Sequence, residues 1–216
     1  MGFFLDVVVP QLARPHGVLA KLIAPVLDRG NHAINLHVVA ALDLKPGDRV
    51  LEVGFGGGVG LAMVLDHEPG VVLSGMDLSQ EMLIRCRKRF GSRVTLAQGS
   101  VETLPYPDRA FDKLFGVNVT YFWPDIERAL GELARVLSPG GLLVLGIRPP
   151  EVLRKAQFDV AGHRVWSAEQ YVEALSGAGF VDASARRVPD PHGASVVHCT
   201  TRLSSPLADP QYAAGP

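Results

Sequence analysis

The chain has 216 residues, 20% of them charged, and a formal net charge of -1. That length suits one large α/β domain with a buried core and is short for two full domains joined by a linker. With no Lys/Arg block to neutralise phosphates, sequence-independent nucleic-acid binding is excluded as the main activity.

Cys86 and Cys199 stand singly, which gives neither a disulfide framework nor a metal-ligand pair, and a reducing, cytoplasmic location is the expectation. In the first ten residues Asp6 interrupts the apolar stretch of Phe3, Phe4, Leu5 and Val7 to Val9, and no basic region precedes it, so a signal peptide is not expected. No run reaches the roughly 18 apolar residues of a membrane-spanning helix. A positive mean hydropathy points to a well-filled core, an apolar substrate pocket or an oligomer surface, the last implying a homodimer.

In chain order, helical spacing of apolar residues covers about Gln11 to Asp28, broken by Pro15 and Pro25, and then about His32 to Leu42. Pro46-Gly47-Asp48 is a turn, and Arg49 to Val53 is a short apolar strand that empties into a glycine cluster. Val71 to Met76 and Val94 to Ala97 read as strands flanking a helix from Ser79 to Phe90 capped by Ser79. Lys113 to Val117 is a fourth strand, Asp125 to Leu137 a helix, and Pro139-Gly140-Gly141 turns the chain into a fifth strand, Leu142 to Ile147. Ser167-Ala168-Glu169-Gln170 has the form of a capping box. After that helix, Val181 to Val188 and Ser195 to Arg202 leave no room for a crossover and should pair antiparallel.

The expected fold is α/β: a doubly wound, mainly parallel seven-stranded sheet with a final antiparallel strand, helices between the first five strands, and N-terminal helices as a lid. The corresponding division is a helical lid or substrate segment at 1–45, a cofactor-binding core at 46–202 and a tail at 203–216, within one domain. Such sheets bind ligands at the carboxyl ends of their strands, near the topological switch point.

The sharpest motif is Glu52-Val53-Gly54-Phe55-Gly56-Gly57-Gly58-Val59-Gly60, an acid followed by glycines at every second position directly after a strand. Glycine lets the backbone turn tightly and approach a ligand closely. The dinucleotide pattern G-x-G-x-x-G fails, because Val59, Leu61 and Met63 take the third position in each register. Asp77 closes the second strand about 20 residues on, where a carboxylate can accept from a ribose diol or cap a helix.

Glu52, Gly54, Gly56 and Gly58, followed by Asp77, by Gly99-Ser100-Val101-Glu102-Thr103-Leu104-Pro105-Tyr106, by Phe111-Asp112 and by Pro139-Gly140-Gly141, resemble class I S-adenosylmethionine-dependent methyltransferases from about Val50 to Ile147. The likeness is greatest to the small-molecule branch of quinone C-methyltransferase-like (methyltransferase type 11) enzymes. The resemblance implies S-adenosyl-L-methionine as cofactor and S-adenosyl-L-homocysteine as product. It implies that Glu52 and the Gly54–Gly58 backbone hold the methionine end, Asp77 the ribose, Leu78 and Met82 the adenine face, and Ser100 and Val101 the adenine edge, with Asn118 at the end of the fourth strand. Ser100 departs from the family's Asp and leaves one hydroxyl where a carboxylate would accept from the adenine amino group.

A sulfonium methyl is already activated, so the enzyme needs chiefly to align a nucleophile and accept its proton. The histidines show no metal-ligand spacing beside carboxylates, so metal-independent transfer to an O, N or C nucleophile of a small, apolar or lipid- or quinone-like metabolite is expected. The acceptor side should comprise Asn118 to Asp125, the N-terminal helices and Arg148 to Trp166. Its catalytic candidates are Tyr121 and His163, with His16, His32 and His37 as other bases and Arg14, Arg29, Arg148 and Arg164 as anion partners. Tyr121, Phe122 and Trp123 either line an apolar pocket or fill the core. Asn31 and Asn35 either reach the methionine end or cap a helix. The competing readings are a protein that binds the nucleoside without catalysis, and an aminopropyl transferase-like enzyme, for which the acidic residues that would hold a polyamine are missing around Asn118 to Asp125.

Overall fold

The computed structural model describes residues 30–159, 162–191 and 193–202. The helix expected at Gln11 to Asp28, the bulk of the 1–45 segment and the 203–216 tail fall outside the described residues. Helix α1 (His32–Ala41) precedes β1 (Arg49–Val53), α2 (Val59–His67), β2 (Val72–Asp77), α3 (Gln80–Phe90), β3 (Thr95–Gln98) and β4 (Phe111–Val117). There follow α4 (Ile126–Val136), β5 (Leu137–Ile147), α5 (Pro150–Lys155), α6 (Ala168–Gly177), β6 (Phe180–Val188) and β7 (Ala194–Thr201).

The seven strands form one sheet in the order β3-β2-β1-β4-β5-β7-β6. β1 to β5 are mutually parallel, and β7 runs antiparallel to both β5 and β6. This is the expected doubly wound sheet, with the order reversing between β1 and β4. Alternation along the strands divides the core in two. Leu51 and Val53 face α4, α5 and α6, whereas Val50 faces α1, α2 and α3. On the first side Ile126, Ala129, Leu130, Leu133 and Val136 form the apolar stripe of α4; each such larger side chain contributes about 1.5–3 kcal/mol by leaving water.

Helix starts follow the cap residues. Ser79 accepts from Met82 N, Asp125 accepts from Arg128 N, and Ser167 and Gln170 form a complete capping box. Between β3 and β5 two features differ from the sequence expectation. No helix lies between β3 and β4: Pro105 and Pro107, which lack amide donors, fall in the short connection, and the chain crosses as an irregular loop. β5 begins before the glycines, and its register against β4 slips between Phe111 and Lys113, so Pro139-Gly140-Gly141 makes a bulge inside the strand.

At the amino-terminal edge of the sheet, Arg49 binds both oxygens of Asp112, at 3.0 and 2.6 Å, while Ser138 of the β5 bulge donates to the same carboxylate at 3.1 Å. These hydrogen bonds hold the Asp112 carboxyl down to about 2. A depressed carboxylate stabilises the fold above its unfolded value near 4, and that contribution is lost as pH falls through about 2. Since both side chains are a third or more exposed, solvent screening limits it to about 1 kcal/mol. Asp112→Asn should therefore cost about 1 kcal/mol at pH 7 in urea unfolding, and the difference from the parent should vanish between pH 4 and 2.

Candidate active site

The carboxyl ends of β1, β2 and β4, the start of α1 and the segment around α5 enclose a cavity of about 280 Å³, near the lower end of ligand clefts. On its wall lie Glu52, Gly54, Gly56, Asp77, Leu78, Met82, Ser100, Val101, Asn118 and Tyr121 from the sequence expectation, together with Asn31, Asn35 and Arg148. Gly58 and His163 are not on that wall.

The glycine loop owes its shape to a few close approaches. Gly54, Gly56 and Gly58 all have positive φ, at 73°, 49° and 79°. A Cβ at Gly54 would strike Val119, and one at Gly58 would lie 2.7 Å from the Phe90 ring and 2.9 Å from the Cys86 sulfur. A Cβ at Gly56 would meet nothing within 4 Å. Gly58 thus serves packing beneath the loop, whereas Gly56 faces open space. Gly60, unassigned in the sequence reading, is required by Glu52: a Cβ there would collide with Glu52 Oε1. The fourth glycine of the alternating run was its available signal.

Asp77 supports the loop from β2. Its Oδ2 accepts from Gly56 N and its Oδ1 from Ser79 N, each at 2.8 Å. Burial raises its pKa, against the backbone hydrogen bonds that favour the charge. With the Leu78 amide also near, the backbone does not use all of the carboxylate's roughly four acceptor sites, which leaves capacity for a ligand hydroxyl. Arg89, from the far end of α3, donates to the carbonyls of Gly57 and Gly58 at 3.1 and 3.3 Å.

Glu52 is 3% exposed, and burial pushes its carboxyl well above the ordinary range; a hydrogen bond from the Leu61 amide opposes this, and the charge of Asp77 adds to it. Its Oε2 has no hydrogen-bond partner among the described residues. A buried carboxylate oxygen without a donor is costly, and on a cavity wall it is a place for a cationic or N–H donor.

The loop after β3 is fastened to α4. Glu132 accepts from Leu104 N, Arg135 donates to the carbonyls of Leu104 and Tyr106, and Arg128 donates to the Glu102 carbonyl. This holds Ser100 and Val101 at the cavity. The Ser100 hydroxyl accepts from Glu102 N at 3.3 Å, within its own turn. Leu78, by contrast, is 42% exposed and presents an apolar surface to the same cavity.

Past β4 the backbone of Asn118 is left-handed, with φ 55°, a strained conformation that Asn tolerates better than most residues. Asn118 donates to Asn31 Oδ1 at 2.7 Å and accepts from the Tyr121 hydroxyl at 2.9 Å. The Tyr121 oxygen also accepts from Arg148 N. Its proton is thus directed at Asn118, and complete burial raises its pKa far beyond a phenol's ordinary value, so Tyr121 is a fixed neutral hydroxyl. Beyond β4, Tyr121, Phe122, Trp123, Leu153 and Phe158 make an apolar stretch of the wall.

His163 packs edge-on against Phe122, at 5.0 Å between ring centres, and at 5.8 Å from Phe158; partial burial lowers its pKa. Arg164 straps this segment to the Tyr121–Trp123 turn, donating to the Trp123 carbonyl at 2.8 Å and covering the Trp166 ring. Arg148 is not an open anion partner. It is ion-paired with Asp190, both side chains buried, and also donates to the carbonyls of Gly30 and Gly193. Of the other histidines, His37 bonds the Pro189 carbonyl at 3.0 Å, while Arg14, His16 and Arg29 fall outside the described residues. Among the described residues no group of three or more His, Cys, Asp or Glu side chains is placed to hold a metal ion.

A sheet of this order, with an acid-and-glycine loop after β1 and a carboxylate ending β2, defines a Rossmann-like nucleoside-binding methyltransferase fold. Residues 51–145 match the family described as Methyltransferase domain. The chain is 33% identical over 154 residues to a Bacillus subtilis protein named uncharacterized methyltransferase YdaC, covering 70% of this chain and 82% of that one. It is 36% identical over 106 residues to a fatty-acid O-methyltransferase of Mycolicibacterium smegmatis, covering 49% of this chain but only 39% of that protein. In structure it resembles a SAM-dependent methyltransferase, possible histamine N-methyltransferase, of Thermotoga maritima, with a TM-score of 0.68 and 23% identity over 93% of this chain and 98% of that one. The chain belongs to the class I S-adenosylmethionine-dependent methyltransferases.

The loop geometry makes a stability test. Gly56→Ala and Gly58→Ala both place a side chain at positive φ, at about 1–2 kcal/mol each, but only the second also meets Phe90 and Cys86. Thermal denaturation should show Gly58→Ala melting several degrees below Gly56→Ala.

Proposed function

We propose that this protein moves the methyl group of S-adenosyl-L-methionine, in line and without a metal, onto an O, N or C nucleophile of a small apolar or lipid-like metabolite. The observation that carries the cofactor assignment is the unpartnered, buried Glu52 Oε2 on the wall beside the glycine loop, where the nucleoside's ammonium would supply the missing donor. Asp77 would receive the ribose hydroxyls while holding Gly56, and Leu78, Met82 and Val101 would flank the adenine, with Ser100 at its edge. When bound, the cofactor supplies a methyl group activated by its sulfonium.

The chain's own part is alignment and exclusion of water. The Tyr121, Phe122, Trp123, Leu153 and Phe158 surface favours an apolar acceptor, and the likeness to a fatty-acid O-methyltransferase points the same way. In this reading Asn118 and Tyr121 shape the junction between the cofactor and acceptor parts of the cavity. His163 lies off the cavity wall behind Phe122 and Phe158, so in this reading it backs those aromatics and does not reach the acceptor as a base. In this reading the protein works as a homodimer in the cytoplasm.

Titration calorimetry with S-adenosylmethionine, S-adenosylhomocysteine and NADH tests the cofactor: both sulfur nucleosides should bind and NADH should not. Binding of NADH alone, or of none of the three, overturns the reading. Asp77→Ala should weaken S-adenosylhomocysteine binding at least tenfold, through loss of charge-assisted hydrogen bonds and of the Gly56 tether. With methyl-labelled cofactor, label should enter long-chain fatty acids or quinols rather than small charged acceptors.

A further inference from the structure

Outside the stretch that matches the methyltransferase domain, α1 carries a second buried acceptor on the same wall. Asn35 is 3% exposed, and its Oδ1 has no hydrogen-bond partner among the described residues. The amide is oriented: Nδ2 donates to the Asn31 carbonyl at 2.8 Å, so the oxygen is the end left over. Asn35 and Glu52 also share a face of the sheet. Glu52 pairs in register with Phe115, which packs in the same cluster as Ile34 and Val38, the neighbours of Asn35 on α1. Asn35 does not cap its helix, since the Asn31 carbonyl already receives Asn35 N at 3.0 Å.

Two unpartnered oxygens on one cavity wall, one from a carboxylate and one from a fixed amide, suit a primary ammonium, which offers three donors and one positive charge. We propose that Asn35 Oδ1 is a cofactor ligand that works with Glu52 Oε2 to bind the ammonium of the nucleoside's amino-acid end. Ligand binding then bridges α1 to β1, so the first described helix becomes part of the cofactor site. This inference rests on the cofactor reading above.

Asn35→Ala removes the acceptor, keeps the backbone bond to Asn31 and places a strong helix former in α1, so the variant should fold. Calorimetric titration of the full-length parent and variant with S-adenosylhomocysteine and with 5′-methylthioadenosine, which lacks the amino-acid end, separates the outcomes. The expected result is about a tenfold loss of S-adenosylhomocysteine affinity in the variant with methylthioadenosine affinity unchanged. Equal losses for both ligands would make Asn35 merely structural, and no loss for either would remove it from the site; each overturns the proposal while leaving the cofactor reading intact. If the parent bound neither nucleoside, the cofactor reading would fail and take this proposal with it. Hydrogen exchange gives an independent readout. S-adenosylhomocysteine should slow α1 amide exchange more than methylthioadenosine does in the parent, and equally little in Asn35→Ala.

Discussion

The Asp77 carboxylate receives the amides of Gly56 and Ser79, and through those two bonds a residue at the end of β2 sets the path of the loop after β1 and the start of α3. The arrangement depends on strand adjacency: β1 and β2 are in-register neighbours, so their carboxyl ends emerge side by side. A loop of glycines at positive φ has little preference for one shape. Fastened by Asp77 from one side, clasped by Arg89 at Gly57 and Gly58 and packed on Phe90 and Cys86 beneath, it has one.

Burial of acids accompanies that construction. Glu52 and Asp77 both lie in low-dielectric surroundings, and the charge of Asp77 raises the cost of charging Glu52. Asp77 offsets this with several amide donors, whereas Glu52 retains an oxygen with no partner among the described residues. The imbalance distinguishes a carboxylate that organises the loop from one with capacity left for a ligand.

The other end of the cavity is built differently. Tyr121, Phe122 and Trp123 sit on a turn held by Arg164 and by the bond between Thr120 and Tyr171. Arg148 gathers Gly30, Asp190 and Gly193 around the end of β5. A buried ion pair of this kind adds little net stability against an apolar substitute, but removing one partner leaves an uncompensated charge, so it specifies position. Through it the start of α1 and the β6–β7 turn are registered on the same strand end.

The sequence by itself determined the succession of the seven strands, the caps at Ser79 and Ser167 and the acid-and-glycine loop, because period, cap chemistry and glycine spacing are local properties. Apolar side chains after β4 were ambiguous between pocket and core, since hydrophobicity alone does not say which face a turn presents. Tertiary structure decided that Gly58 packs inward while Gly56 faces the cavity, that Gly60 makes room for Glu52, and that Arg148 is consumed by Asp190. It also decided that Asn35, one helical turn from Asn31, keeps a buried oxygen without a partner among the described residues on a cavity lined by residues far along the chain. These are contacts between segments distant in sequence, and their outcome depends on which strands become neighbours and which helix face meets the sheet.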